Sequence, residues 1–352
     1  MLDVHTHFFP RHLPPPSDRA LADGWPELAP DGDLVEVRQQ GRVVRVLDAT
    51  AWDATARLAA MDRLGVDHHV VLPTPFTFLY DADPDIAGDY ARAQNDVLAE
   101  LVASGQGRLT GFGSVPLQDP EAAVAEVGRM ALELGLAGVG IGTHADLFEL
   151  HSPELEPVFA RIEQLDLPVF VHPWKPMAPT RTSHHGLAFG LGRPVETELA
   201  VGSLVFGGVL ERHPDLRVCL AHGGAGIPAI RGRLANGWSR QPVDTRTPRA
   251  GPRHLLARLW ADGLTYDPAA LALAASTFGP EHMVVGSDFP FDAQESPIGA
   301  SFVNGVAAGL LPYGRDWAEV TTRNARTFLG SADPTTHFLG DRGEEHPIGA
   351  ER

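Results

Sequence analysis

Among 352 residues the chain has one cysteine, Cys219, and one lysine, Lys175. A lone cysteine excludes an intramolecular disulfide, and a reducing compartment is the matching expectation. Basic residues are scarce beside acidic ones, 28 against 45, for a formal net charge of -17. Such a chain repels phosphate backbones and anionic membrane surfaces, so neither nucleic acid nor a membrane is an expected partner. No apolar run approaches the roughly 20 residues of a membrane span, and no cationic-then-apolar leader opens the sequence. A cytoplasmic location is therefore expected. No glycine-rich phosphate fingerprint follows any strand-like run, which argues against a dinucleotide-binding open sheet. Neither an internal repeat nor a low-complexity tract interrupts the chain.

What is present is ordinary in bulk, 43% hydrophobic and 21% charged, ample for a large core. Eight short apolar runs rich in Val and Gly lie at 2–8, 68–73, 109–115, 137–143, 168–172, 217–222, 260–266 and 283–288. Amphipathic stretches separate them, among them 53–64, 84–103, 120–134, 153–165 and 196–212. Asp119-Pro120 and Ser152-Pro153 each set an N-cap residue before a first-turn proline. Eight strands alternating with helices predict a parallel (β/α)8 barrel spanning residues 1–330, a TIM barrel, with a tail at 331–352. Residues 10–51 interrupt it after the first strand, and period-two alternation from Leu34 to Leu47 around Gly41 predicts a β-hairpin there. That insertion is expected over the barrel mouth. The Pro- and Arg-rich stretch 241–253 reads as a long loop at the rim or at a subunit contact.

His5 and His7 stand two apart on the first run, and on a strand such residues face the same way. His172, His222 and Asp288 each close a later run, the end where a barrel of this type carries its reactive groups. Imidazole and carboxylate donors suit Zn²⁺ first, with Mn²⁺, Fe²⁺ and Co²⁺ as alternatives. If His5, His7, His172 and Asp288 hold one ion, one coordination position stays open for water, whose pKa a catalytic zinc lowers to roughly 7. His222 is then free to act as a catalytic acid or base, the alternatives being a fifth ligand or an orienting group. The fourth run, ending at Thr143-His144, offers no lysine. The carbamylated lysine that bridges two metals in many such barrels is thus missing, and one ion per chain is expected.

At these residues the chain resembles the amidohydrolase superfamily, and more closely its decarboxylase branch. The motifs are His5-Thr-His7-Phe-Phe-Pro10, Pro73-Thr-Pro75, Asn95-Asp96, Val115-Pro-Leu-Gln-Asp119, His172-Pro-Trp174, Glu196-Thr-Glu-Leu, His222-Gly-Gly and Gly286-Ser-Asp288-Phe-Pro-Phe291, spread over residues 1 to about 330. The resemblance implies the same ligands, with His222 and Asp288 catalytic. It adds Arg45 and Arg233 as partners for substrate carboxylates, the latter contributed by a neighbouring subunit, so a homodimer is implied. Trp174, Lys175 and Phe291 complete the implied substrate contacts. Three positions depart from the branch: Gln241 where it has an arginine, which Arg240 could replace; Lys175 where it is acidic; and Phe289 where it has a tyrosine.

The resemblance implies a metal-dependent, non-oxidative decarboxylase of an unsaturated or aromatic carboxylic acid, a small molecule. Arg45 would supply the local positive charge that the whole chain lacks. A second reading uses the same site as a hydrolase or hydratase acting on a lactone, amide or activated alkene. A third is a barrel that keeps its histidines for metal storage or stability alone.

Overall fold

The computed structural model describes residues 1–240 and 248–330. Its eight barrel strands are β1 (Leu2–Phe8), β2 (His68–Pro73), β3 (Leu109–Gly113), β4 (Gly138–Gly142), β5 (Val169–His172), β6 (Val218–Leu220), β7 (Trp260–Asp262) and β8 (Met283–Val284). They pair in chain order, all parallel, and isolated bridges Asp3–Val285 and Thr6–Phe289 join the last strand to the first. The sheet closes as the expected (β/α)8 barrel. Near-continuous burial along every strand explains why the runs read as solid apolar blocks rather than alternating ones.

The barrel interior is filled by Leu2, Val4, Val70, Leu72, Phe112, Phe170, Cys219 and Trp260, and the helix Trp317–Leu329 plugs its lower end with Phe328. The Phe328 ring lies 6.2 Å from Phe112 and 5.8 Å from Trp260. Cys219 is therefore a core residue. Several predicted helices begin as expected; Asp119 caps Pro120–Leu132 by accepting from the Ala122 amide at 3.1 Å. Ser152 makes no such capping bond, because a 3-10 turn, Pro153–Leu155, intervenes before the helix Glu156–Gln164. The stretch 196–212 is split into Arg193–Phe206 and Val209–Arg212 at two glycines. Among the described residues no helix is long and apolar enough to cross a membrane.

Between β1 and the next barrel helix, Ala54–Leu64, the chain forms an antiparallel sheet of Glu27–Asp31, Leu34–Gln39 and Arg42–Leu47. Two left-handed residues, Gln40 and Gly41, make the tight turn between the latter two strands. Val37 and Leu47 of this sheet pack with Phe9, Ala51, Phe76 and Phe291. Phe9, Phe76 and Phe291 follow the carboxyl ends of β1, β2 and β8, so the small sheet rests against the mouth of the barrel. The residue Gln241 and the tail 331–352 lie outside the described residues, as does most of the loop expected at 241–253.

Arg57, on the first helix after this sheet, is fully buried. Its guanidinium donates to the His7 carbonyl, to Thr6 Oγ1 at 3.2 Å and to the Thr50 carbonyl at 3.1 Å, and it lies 5.1 Å over the Phe289 ring. Arg57→Met strands those acceptors in the interior. Urea unfolding should show a loss of roughly 3 kcal/mol, within the range for a broken buried network.

Candidate metal centre and active site

The first strand is not regular. The register between β1 and β2 shifts between Asp3 and Thr6, the segment that contains His5. An extra residue in a strand bends it and re-aims a side chain. His5 and His7 both turn into the barrel, where His7 Nε2 lies 3.0 Å and His5 Nε2 3.5 Å from Asp288 Oδ1. His172, at the end of β5, sets its ring 5.1 Å from each of the other two. The ligand atoms of His5, His7, His172 and Asp288 all lie within 4.8 Å of one another, and all four residues are buried.

The outer nitrogens determine which way these rings present. His5 Nδ1 bonds Asp262 Oδ2 at 2.6 Å, His7 Nδ1 the Pro73 carbonyl at 3.1 Å, and His172 Nδ1 the Pro173 carbonyl at 2.9 Å. Carbonyl and carboxylate oxygens only accept, so each Nδ1 carries the proton and each Nε2 keeps a lone pair aimed inward. His5 Nε2 and His7 Nε2 stand 3.1 Å apart, and His172 Nε2 is buried without a hydrogen-bond partner. Two lone pairs at that distance repel unless a cation lies between them. The donor set thus fits a divalent ion.

Asp262 was not singled out from the sequence: it is the last residue of β7 but stands inside the apolar run 260–266 rather than at its end. Its Oδ1 accepts from the Gly223 amide at 3.0 Å and the Leu264 amide at 3.1 Å while Oδ2 holds His5. Burial would raise the Asp262 carboxyl, but the bond from His5 and the neighbouring imidazole charges outweigh it and hold the group below its ordinary value. His5 moves the opposite way: burial lowers it, and the bond and charge of Asp262 raise it further than that. Burial, then the neighbouring imidazoles, keep His172 far below its ordinary value, hence neutral and able to ligate. Burial would raise the Asp288 carboxyl, but the three imidazoles around it, His7 nearest, outweigh burial and hold it below its ordinary value.

His222 and Asp288 differ from the expectation in one respect. β6 stops at Leu220 and β8 at Val284, so both residues lie beyond the strands rather than at their last positions. Both have left-handed backbones, φ 57° and 64°, outside the strand region. Such strain in non-glycine residues concentrates at functional sites. Gly223 follows with φ +64°, and a Cβ there would stand 2.5 Å from Thr265 Cγ2, so glycine is needed to let the turn through. The His222 ring lies 5.3 Å from His5 and 5.1 Å from His172. Burial, and next the charge of His5, push it down to about 4.

A cavity of about 330 Å³ opens beside His222 and Asp288, walled by Phe189, Leu264, Tyr266 and Leu273, with Arg193 also lining it. That volume suits a single small ring. Phe291 lies 5.2 Å from the His7 ring, and the Arg45 guanidinium is 5.1 Å over Phe291. Trp174 is buried against Tyr80 and His144, at 5.2 and 5.1 Å. The structure does not bring Lys175 or Arg233 to the cluster. Lys175 pairs with Asp81 at 2.8 Å, and Arg233 is exposed on the helix Ile227–Trp238. His144 pairs with Glu196 at 3.0 Å.

Asp262→Asn keeps an acceptor for His5 but removes the charge and leaves the amide contacts mismatched. Chelator competition should then show metal affinity lowered by roughly 10–100-fold, with the protein still folded.

A family model described as amidohydrolase matches residues 2–329. The 2-amino-3-carboxymuconate-6-semialdehyde decarboxylase of Dictyostelium discoideum is 33% identical over 344 residues, covering 96% of this chain and 93% of that protein. The structure of 5-carboxyvanillate decarboxylase from Sphingomonas paucimobilis shares 28% identity and a TM-score of 0.66, covering 78% of this chain and 82% of the other. The IDCase of Metarhizium anisopliae, at 22% identity, shares the fold, with a TM-score of 0.78 over 95% of this chain and 97% of its own. With the barrel and its His/Asp cluster, these likenesses identify the chain as a member of the amidohydrolase family.

Proposed function

We propose that the chain is a metal-dependent, non-oxidative decarboxylase of an unsaturated or aromatic carboxylic acid. The observation that carries this reading is the convergence of three Nε2 lone pairs and one carboxylate oxygen beside a ring-sized cavity. The 33% identity to a decarboxylase along nearly the whole chain supports it. His5, His7, His172 and Asp288 would hold one divalent ion, and nitrogen with carboxylate donors in this number suits zinc, with Mn²⁺, Fe²⁺ and Co²⁺ as alternatives. When bound, the ion supplies a Lewis acid that offsets negative charge developing on substrate oxygens.

The chain's own groups do the rest. Arg45 orients a substrate carboxylate, its Nε being buried and without a protein acceptor among the described residues. Trp174 and Phe291 border the reacting region, and the apolar cavity walls exclude water. His222 and Asp288 manage the proton: it is delivered to the carbon bearing the carboxylate, which becomes tetrahedral. The bond to the carboxyl carbon then breaks, its electron pair restores conjugation, and CO₂ leaves. His222 is neutral at pH 7, so it can take up a proton and pass it on. Arg233, exposed on its helix, suits a contact with a neighbouring copy, which makes a homodimer part of this reading.

The test is metal content of the purified protein, then CO₂ release from a panel of unsaturated and aromatic acids. About one zinc per chain with CO₂ evolved is expected. Water incorporation without carbon loss would replace the reading with a hydrolase or hydratase. His172→Ala should lose metal and turnover together, whereas His222→Asn should keep its metal and lose turnover by roughly 100-fold or more. Turnover retained in His222→Asn removes the proton role. Separately, Arg45→Ala should raise KM for an acid by about tenfold or more while leaving kcat far less changed, as expected for uniform binding. An equal effect on a neutral analogue would exclude carboxylate recognition.

A further inference from the structure

Arg193 has no evident employment in the fold. It makes no hydrogen bond or ion pair with any described residue, and its Nε is buried without an acceptor. It lines the same cavity as His222 and Asp288, whose remaining walls are largely apolar. The helix that carries it opens with a π turn, Ala188–Gly192, immediately before Arg193–Phe206. Such wide turns in a helix mark functional sites. This one brings Phe189, Gly190, Arg193 and Pro194 together onto the cavity wall. A long cation could have turned to water at little cost; here it is held where a carboxylate would complete it.

We infer that Arg193 is a specificity-determining residue, forming an anion subsite that takes a second acidic group of the substrate, one retained in the product. The inference deepens the decarboxylase reading and rests on it for the identity of the group that leaves. Guanidinium binds carboxylate bidentately, which sets the orientation of a flat ring in the cavity that Phe189 and Leu264 help to line. Electrostatics agree with the geometry. Burial first, and then the positive charge of Arg45, depress Arg193 below its ordinary value, while Asp288 opposes both. Two guanidinium groups within range of one another gain most from an anionic ligand. Asp288 acts on Arg193 through space but forms no ion pair with it, so the guanidinium keeps its donors for a ligand.

The experiment is equilibrium binding to the metal-loaded protein, by calorimetry, of benzoate and of phthalate, isophthalate and terephthalate. The best diacid should bind at least about tenfold more tightly than benzoate. Arg193→Met should abolish that ratio while benzoate affinity shifts by less than about threefold, and Arg193→Lys should restore part of it. A wild-type ratio near one, a ratio unchanged in Arg193→Met, or an equal weakening of both ligand types overturns the subsite. Binding is read without turnover, so the two readings fail separately. A diacid preference that depends on Arg193, with no CO₂ from any acid, leaves the subsite standing and removes the decarboxylase.

Discussion

The hydrogen bond between Asp262 and His5 organises this active site. Both groups are wholly inaccessible to solvent, at 2.6 Å, in the middle of the barrel. An ionised carboxylate there would be costly unless every lone pair found a partner. Asp262 satisfies that condition by dividing its two oxygens. One orients the His5 ring, and the other receives the amides of Gly223 and Leu264. A single carboxylate thereby ties the strand bearing the histidine pair to the turn bearing His222. Gly286 belongs to the same arrangement, since a Cβ there would meet Asp262 Cβ at 2.7 Å and His5 Cβ at 2.8 Å.

The site residues sit on the least regular backbone of a regular barrel. The register shift in β1, the left-handed His222 and Asp288, and the π turn before Arg193 all occur within one small volume. Each departure costs free energy that parallel strands and a plugged, close-packed interior must supply. The buried Arg57 links the two regimes, because it bonds the carbonyl of His7 while it anchors its own helix to β1. Rigidity at that point keeps an imidazole aimed to within the tolerance that ligation demands.

Charge is distributed with the same economy. A chain of net charge -17 offers anions no long-range attraction. Arg45 and Arg193 concentrate positive charge near the cavity, partly desolvated, where a guanidinium interacts most strongly. Lys175, by contrast, spends its charge on Asp81 and the face of Trp174. Discrimination among small acids would then arise at short range, from the geometry of two forks rather than from the field of the whole protein.

The eight-strand barrel was legible in the sequence because parallel strands buried on both faces leave solid apolar runs, and periodicity is a local property of the chain. The metal-binding cluster was legible for a related reason: strand ends converge at one face of a barrel, so residues that close separate runs must meet. Tertiary structure alone decided the rest. Asn95, conspicuous in a sequence motif, is an interior strut that donates to the Ser114 carbonyl and Glu126. Asp262 stands inside the run 260–266, and only its distance to His5 reveals it as a support of the site. Arg193 carried no signal, since its meaning lies in the absence of a partner, and partners separated in sequence are brought together or kept apart only by packing. Composition and periodicity set which elements form; which lone pairs face one another depends on register, strain and burial, and these exist only in three dimensions.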